Sequence, residues 1–312
     1  DTTTFKKKNT RRTQQKRLDE RKRGSQRQRV LLAKIIRCSF PVSMATPLAS
    51  AAAAGTTTIT TTPPCVILAP MVRGSELAFR MLCCAHGACE AWSPMLRARD
   101  VLTAMADRMS KCGNDADVPF AALTAPGSAA KCPLTTKDRL FLPDTCPADR
   151  ANLVVQICGS DPSELARATT AILWAYPGLK GIDLNLGCPQ VNADKEHFGA
   201  FLVERDPDLA VACVLSMSQA ADEHARTVAA ATTATATAAT AATPPPHGTV
   251  RVSAKMRLLD DVEAGIAFAR RLVREARLDM LTVHCRHRTS KHDGPPNLDD
   301  GKALVAALDI PV

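Results

Sequence analysis

The sequence contains no run of the ~18 consecutive apolar residues that a membrane-crossing helix requires, so none of its 312 residues is expected to span a bilayer. It also lacks a C-x-x-C pair, although it holds 12 cysteines. The closest group, Cys83, Cys84 and Cys89, falls in a segment with an amphipathic helical pattern. Without the spacing of a zinc site, no metal is expected. Unpaired cysteines with apolar neighbours suit a reducing compartment, cytoplasm or nucleus. No G-x-G-x-x-G follows the first strand-like run, which removes the usual dinucleotide fingerprint.

Acidic residues are scarce at the N-terminus. Residues 1–44 carry 14 Lys/Arg against Asp1, Asp19 and Glu20, whereas residues 45–312 carry 26 against 28, so the net charge of +9 resides in the arm. That arm is too polar to bury a core. It runs into "MATPLASAAAAGTTTITTTPP", which has no apolar periodicity, and residues 1–64 therefore read as a non-globular leader. Organellar targeting, nuclear import, RNA contact and a true start at Met44 all remain open for it.

From residue 65 short apolar runs alternate with helical ones. Strands are expected at 65–71, 90–95, 153–159, 181–188, 250–257 and 280–286, with a seventh starting at 310–312. Helices follow the first, third and fifth of these. Asp161, Pro162 and Glu164 form an N-terminal capping pattern, and Asp260 is the expected cap of the helix after the fifth strand. Such alternation predicts an α/β fold with a parallel sheet covered by helices. Two segments interrupt it: a Pro-, Asp- and Cys-rich surface insertion at about 110–150, and an insertion at 219–248 that is low in complexity from 230.

Open sheets and closed (β/α)8 barrels share this alternation, so polar residues must distinguish them. Gln156, Asn185, Lys255 and His284 each stand near the C-terminal end of a strand. The first pair and the last pair are each 29 residues apart, about one βα unit. A lone strand amide is ordinarily a satisfied core group, a strand Lys a solvated charge, and a single His structural. Their regular placement instead describes a ring at one rim, which is the active-site face of a barrel.

Cys188 lies between Gly187 and Pro189, where the chain turns sharply at the end of such a strand. A free cysteine is commonly a small buried hydrophobe. A protonated thiol at a rim is also an acid suited to a strongly basic carbanion. The residues that follow, "QVNADKEHFGAFL", would close over the same face.

Taken in order, "LAPMVRGSELAFRML", "WSPML", "LVVQICGSDP", "DLNLGCPQ", "HFGAFL", "AKMR" and "LTVHCR" resemble the motifs of the flavin-dependent tRNA-dihydrouridine synthases. "SELAFRML" and "GCPQ" look most like the eukaryotic branch that acts at positions 16 and 17 of the tRNA D-loop. The resemblance covers residues 65–312 and implies an FMN-bearing (β/α)8 TIM-type barrel. In that family NADPH or NADH serves as reductant and a uridine of tRNA becomes 5,6-dihydrouridine. The matching implies that Cys188 is the proton donor to carbon 5. Ala69, Pro70, Met71, Gln156, Lys255 and His284 would contact FMN, and Asn185 the uracil. Extruding the base is needed because its reactive carbons are stacked inside folded tRNA.

This chain departs from the family pattern at Glu196, where the family usually has Gly, and at Phe198, where it usually has Tyr. The segment after Arg286 is about two residues longer than usual. The chain stops at "DIPV", so the barrel is expected to be incomplete, without the FMN-phosphate segment and the helical tRNA-binding domain. Two other readings stay open: a non-catalytic RNA-binding relative, and a flavin barrel oxidoreductase acting on a small molecule.

Overall fold

A computed structural model describes residues 65–111, 145–236, 250–290 and 293–312, with the side chains of 108–111 and 231–236 excepted. The leader at 1–64, the bulk of the 110–150 insertion and the 237–249 part of the second insertion lie outside these residues.

Among the described residues, seven parallel strands form one sheet. They are β1 (Ile67–Leu68), β2 (Glu90–Trp92), β3 (Leu96–Arg97), β4 (Leu153–Cys158), β5 (Gly181–Leu186), β6 (Arg251–Leu258) and β7 (Met280–His287). Their order is β1-β2-β4-β5-β6-β7, with β3 also paired to β4. Every residue of β4 is buried, as in a parallel strand covered on both faces. This succession of parallel neighbours with helices between them is that of an incomplete (β/α)8 barrel.

Differences from the expected strands have local causes. The run at 90–95 divides into β2 and β3 because Pro94 has no N–H to give the ladder. Only Ile67–Leu68 of the run 65–71 is strand, since the chain turns at Met71, whose carbonyl accepts from the N–H groups of Gly74 and Ser75. Residues 310–312 form no strand, although the Pro311 carbonyl accepts from Leu281 N–H of β7 at 3.0 Å.

The helix Pro162–Ala175 begins as its sequence predicts, the Asp161 carboxylate accepting from the N–H groups of Ser163 and Glu164. For the helix Val262–Arg274 the expected cap shifts by one residue. Asp261, not Asp260, accepts from Glu263 N–H, because it stands immediately before the first helical residue. The core lies between the sheet and these helices together with Pro207–Ala236. That long helix absorbs the start of the 219–248 segment, with Ala221 buried in the core.

Cysteine pairing is corrected at one place. Cys89 lies outside the helix Leu77–Ala85, and Cys65 and Cys89 form a disulfide. The parallel pairing of Ile67 with Glu90 brings the residues just before β1 and β2 together, leaving their Cα atoms 6.2 Å apart. At the end of the first insertion, Asp149 is buried rather than on the surface. It meets the equally buried Arg80 at 2.8 Å and accepts from Thr145 Oγ1.

Candidate active site

Side chains alternate across a strand, so register partners in a parallel sheet face the same side. Gln156 of β4 is paired with Asp183 of β5, and Asp183 with Ser253 of β6. One step nearer the C-terminal ends Asn185 is paired with Lys255, and Lys255 with Thr282 of β7. Arg257 and His284 form the next pair. The polar residues expected at separate strand ends therefore share one wall, joined there by Asp183, Ser253 and Arg257.

Hydrogen bonds run through this wall in a defined order. Asp183, fully buried, accepts from Ser253 Oγ at 2.7 Å and from Gln156 Nε2 at 2.8 Å. The Gln156 Oε1 accepts from Asn185 Nδ2 at 2.9 Å. Asn185 Oδ1 in turn accepts from the backbone N–H of Cys188 at 2.9 Å and of Gly187 at 3.2 Å. Behind Gln156, its own N–H donates to Ser93 Oγ at 3.0 Å. Burial pushes the Asp183 carboxyl up to about 7, against the pull of the Gln156 and Ser253 hydrogen bonds and of nearby Lys255 and Arg251.

Cys188 follows this relay directly. It is half-buried and packs against Cys158, Ala193, Phe198 and Phe201. Burial raises its thiol above the ordinary cysteine value, opposed by a hydrogen bond from the Gln190 backbone and by the positive charge of Arg257. The thiol thus keeps its proton at neutral pH. The Arg257 Nε donates to the Gly187 carbonyl at 2.9 Å and holds the turn from the other side.

The segment after Pro189 returns over Cys188. A Cβ on Gly199 would lie 2.8 Å from the Cys188 carbonyl oxygen, and Gly199 has a φ of 67°, so this position requires glycine on two counts. Ala200 N–H then donates to the Cys188 carbonyl at 3.2 Å. Glu196 is bonded by Arg97 at 2.9 Å and Arg99 at 2.8 Å, which ties this segment to β3 and the helix start beyond it. Glycine at 196 would make neither bond.

Burial lowers the Lys255 ammonium below the ordinary lysine value, while Asp183 pulls it back up. His284 Nε2 lies 3.2 Å from Arg286 Nη1. Thr282 Oγ1, two residues earlier on β7, is buried with no partner among the described residues. Ala69 and Met71 are exposed and Pro70 is half-buried, all in the loop after β1, where Ser75 Oγ accepts from the Met71 N–H at 2.9 Å. A cation, an imidazole, amide groups and an unpartnered hydroxyl are the donors a flat ring with several carbonyl and nitrogen acceptors needs, so the residues present fit a flavin. Among the described residues no group of three or more His, Cys, Asp or Glu is placed to hold a metal ion, and no helix is long and apolar enough to cross a membrane.

Sequence reasoning overlooked Asp183, Ser253 and Arg257. Their period-two spacing was the available signal: Asp183 precedes Asn185 by two residues, and Ser253 and Arg257 flank Lys255 by two.

Residues 67–312 match the family described as dihydrouridine synthase (Dus). The chain belongs to the dihydrouridine synthase family. Among curated relatives of the family, a Mus musculus protein named tRNA-dihydrouridine(16/17) synthase [NAD(P)(+)]-like is 31% identical over 248 residues, 79% of this chain and 39% of the relative. A Saccharomyces cerevisiae tRNA-dihydrouridine(16/17) synthase [NAD(P)(+)] is 30% identical over 225 residues, 72% of this chain and 39% of the relative. The Homo sapiens tRNA-dihydrouridine(20a/20b) synthase [NAD(P)+]-like is 26% identical over 246 residues, 79% of this chain and 58% of the relative. The chain thus spans about two fifths of the mouse and yeast relatives it matches.

Proposed function

We propose that this chain carries the reductive site of a tRNA-dihydrouridine synthase, reducing the carbon 5 to carbon 6 bond of a D-loop uridine with NADPH or NADH as the electron source. Supporting this reading are its family and the names of the mouse, yeast and human relatives, each of which specifies NAD(P) and tRNA dihydrouridine. The observation that carries the chemistry is Cys188: a protonated thiol at the mouth of the strands, fixed by Asn185 and Arg257 and roofed by the segment around Gly199.

FMN, when bound, supplies hydride transfer from the nicotinamide to carbon 6 of the uracil. Gln156, Lys255 and His284 are the side chains that would hold it, with the backbone of Ala69, Pro70 and Met71. Lys255 offers positive charge to an electron-rich ring edge. Asn185 has its Oδ1 committed to backbone N–H groups and one Nδ2 hydrogen committed to Gln156, which leaves an N–H to donate to a uracil carbonyl. Cys188 then gives its thiol proton to carbon 5, completing the addition of two hydrogens across the double bond, and the thiolate left behind lies in the field of Arg257.

Testing this requires separating the two half-reactions. The full-length protein is expected to purify with bound FMN, to bleach anaerobically on addition of NADPH or NADH, and to form dihydrouridine in unmodified tRNA. A flavin-free protein that still binds tRNA would instead establish the non-catalytic reading. Flavin reduction coupled only to a free pyrimidine would establish a small-molecule oxidoreductase.

A further inference from the structure

Every link of the buried relay depends on which way an amide faces. In its ionised form Asp183 accepts hydrogen bonds and donates none, and so obliges Gln156 to present its Nε2. The Gln156 oxygen then faces Asn185 and obliges that residue to present its Nδ2. Asn185 is left with its oxygen toward the N–H groups of Gly187 and Cys188. If either amide turned over, two donors or two acceptors would oppose one another, in the buried site at Gln156 and the part-buried one at Asn185, an arrangement that costs desolvation of the unmatched groups. We infer that Asp183 is a positioning residue, which sets the polarity of the Gln156–Asn185 relay and through it the backbone of Cys188 and the direction of the Asn185 N–H, without touching substrate.

The charge on Asp183 is compensated within the wall. Ser253 Oγ donates to its other oxygen, and Lys255 and Arg251 supply positive charge nearby. The carboxylate is the relay's fixed end, because Gln156 and Ser253 are the hydrogen-bond donors to its two oxygens among the described residues. Cys188 is the free end, where backbone position matters to the thiol. This inference rests on the assignment of Cys188 as proton donor, and its test has a readout that needs no turnover.

The test is the rate at which iodoacetamide alkylates Cys188 in the folded full-length protein, followed by peptide mass spectrometry. Cys213, fully buried in the core, serves as the internal control for folding. Asp183→Leu keeps the branched shape, with methyl groups in place of the oxygens, but removes the acceptor, and is expected to raise the Cys188 rate by roughly fivefold or more as the backbone there loosens. Asp183→Asn retains an acceptor oxygen and is expected to stay within about twofold of the unchanged protein. An Asp183→Leu rate within about twofold of the unchanged protein, with Cys213 still protected, would overturn the inference. An Asp183→Asn rate as high as that of Asp183→Leu would also overturn it, since charge rather than polarity would then be the cause.

Should Asp183→Leu expose Cys213, Gln156→Met breaks the middle link while leaving Asp183 bonded to Ser253. The same rise in Cys188 alkylation supports the relay, and an unchanged rate refutes it. Dihydrouridine formation is measured on the same preparations. If the unchanged protein forms none in tRNA, the proposed function falls, while alkylation still decides the role of Asp183.

Discussion

The first βα unit and the wall formed by β4, β5 and β6 belong to one sheet but are held by different forces. In the wall, Val155, Ile157, Ile182, Leu184, Ala254 and Met256 are fully buried, so apolar burial secures the strands and leaves the polar relay to position groups. In the first unit β1 is two half-buried residues, and the helix Leu77–Ala85 buries only Arg80 while Phe79, Met81 and Leu82 stay exposed. Its ties are the Arg80–Asp149 ion pair and the Cys65–Cys89 bond. Where burial is ample, polar groups are available for chemistry; where burial is scarce, they become the structure.

That contrast predicts opposite responses to substitution. Cys188→Ala, in the wall region, is expected to leave flavin reduction and thermal stability nearly unchanged while dihydrouridine formation falls by roughly 10²- to 10⁴-fold, the range for loss of a positioned general acid. Comparable product formation by the Ala variant would remove Cys188 from the chemistry. Asp149→Ala, in the first unit, leaves the buried Arg80 guanidinium without its carboxylate, though still bonded to the Ser75 carbonyl, and is expected to cost about 3–5 kcal/mol. Amide exchange should then accelerate in residues 77–85 well before it does in β4. Replacing both partners, as Arg80→Met with Asp149→Leu, should recover much of the loss, and failure to do so would mean the pair does more than hold this helix.

A smaller effect concerns pH. Asp183 has its folded pKa raised to about 7 from 3.8, so between those values the folded state binds more protons than the unfolded state. Stability therefore falls as pH rises through this window and levels off above about 7. Relative to Asp183→Asn, which does not titrate, the unchanged protein should lose on the order of 2 kcal/mol between about pH 5 and about pH 8 in denaturant titrations. A constant difference would place the Asp183 proton elsewhere. The smallest effect belongs to Glu196, whose ion pairs with Arg97 and Arg99 are partly exposed. Glu196→Gln should change stability by about 0.2–1 kcal/mol, and less at high salt. A larger change would show that these pairs hold the segment over Cys188 more firmly than surface pairs usually do.

Much of the candidate site was legible because period and position are written locally. Gln156, Asn185, Lys255 and His284 stood out as polar residues in apolar runs, and Cys188 as a thiol between glycine and proline. The motifs around them pointed to the family that residues 67–312 match. Asp183 was harder to see, because a buried carboxylate in an apolar strand acquires meaning only when its neighbours in β4 and β6 are known. Arg80 and Asp149 are 69 residues apart, and no local pattern links a helix arginine to an aspartate at the edge of an insertion.

Sequence by itself determined the alternation of strands and helices, the Asp161 cap, the strand ending just before Gly187 and the family, since each depends on neighbours along the chain or on motif order. Only the tertiary structure decided that Gln156, Asp183 and Asn185 form one directed relay, that Arg80 and Asp149 neutralise each other in the interior, and that Cys65 meets Cys89. Those pairings follow from strand register and from the exclusion of water, which bring distant groups to hydrogen-bonding distance and make an unmatched one costly.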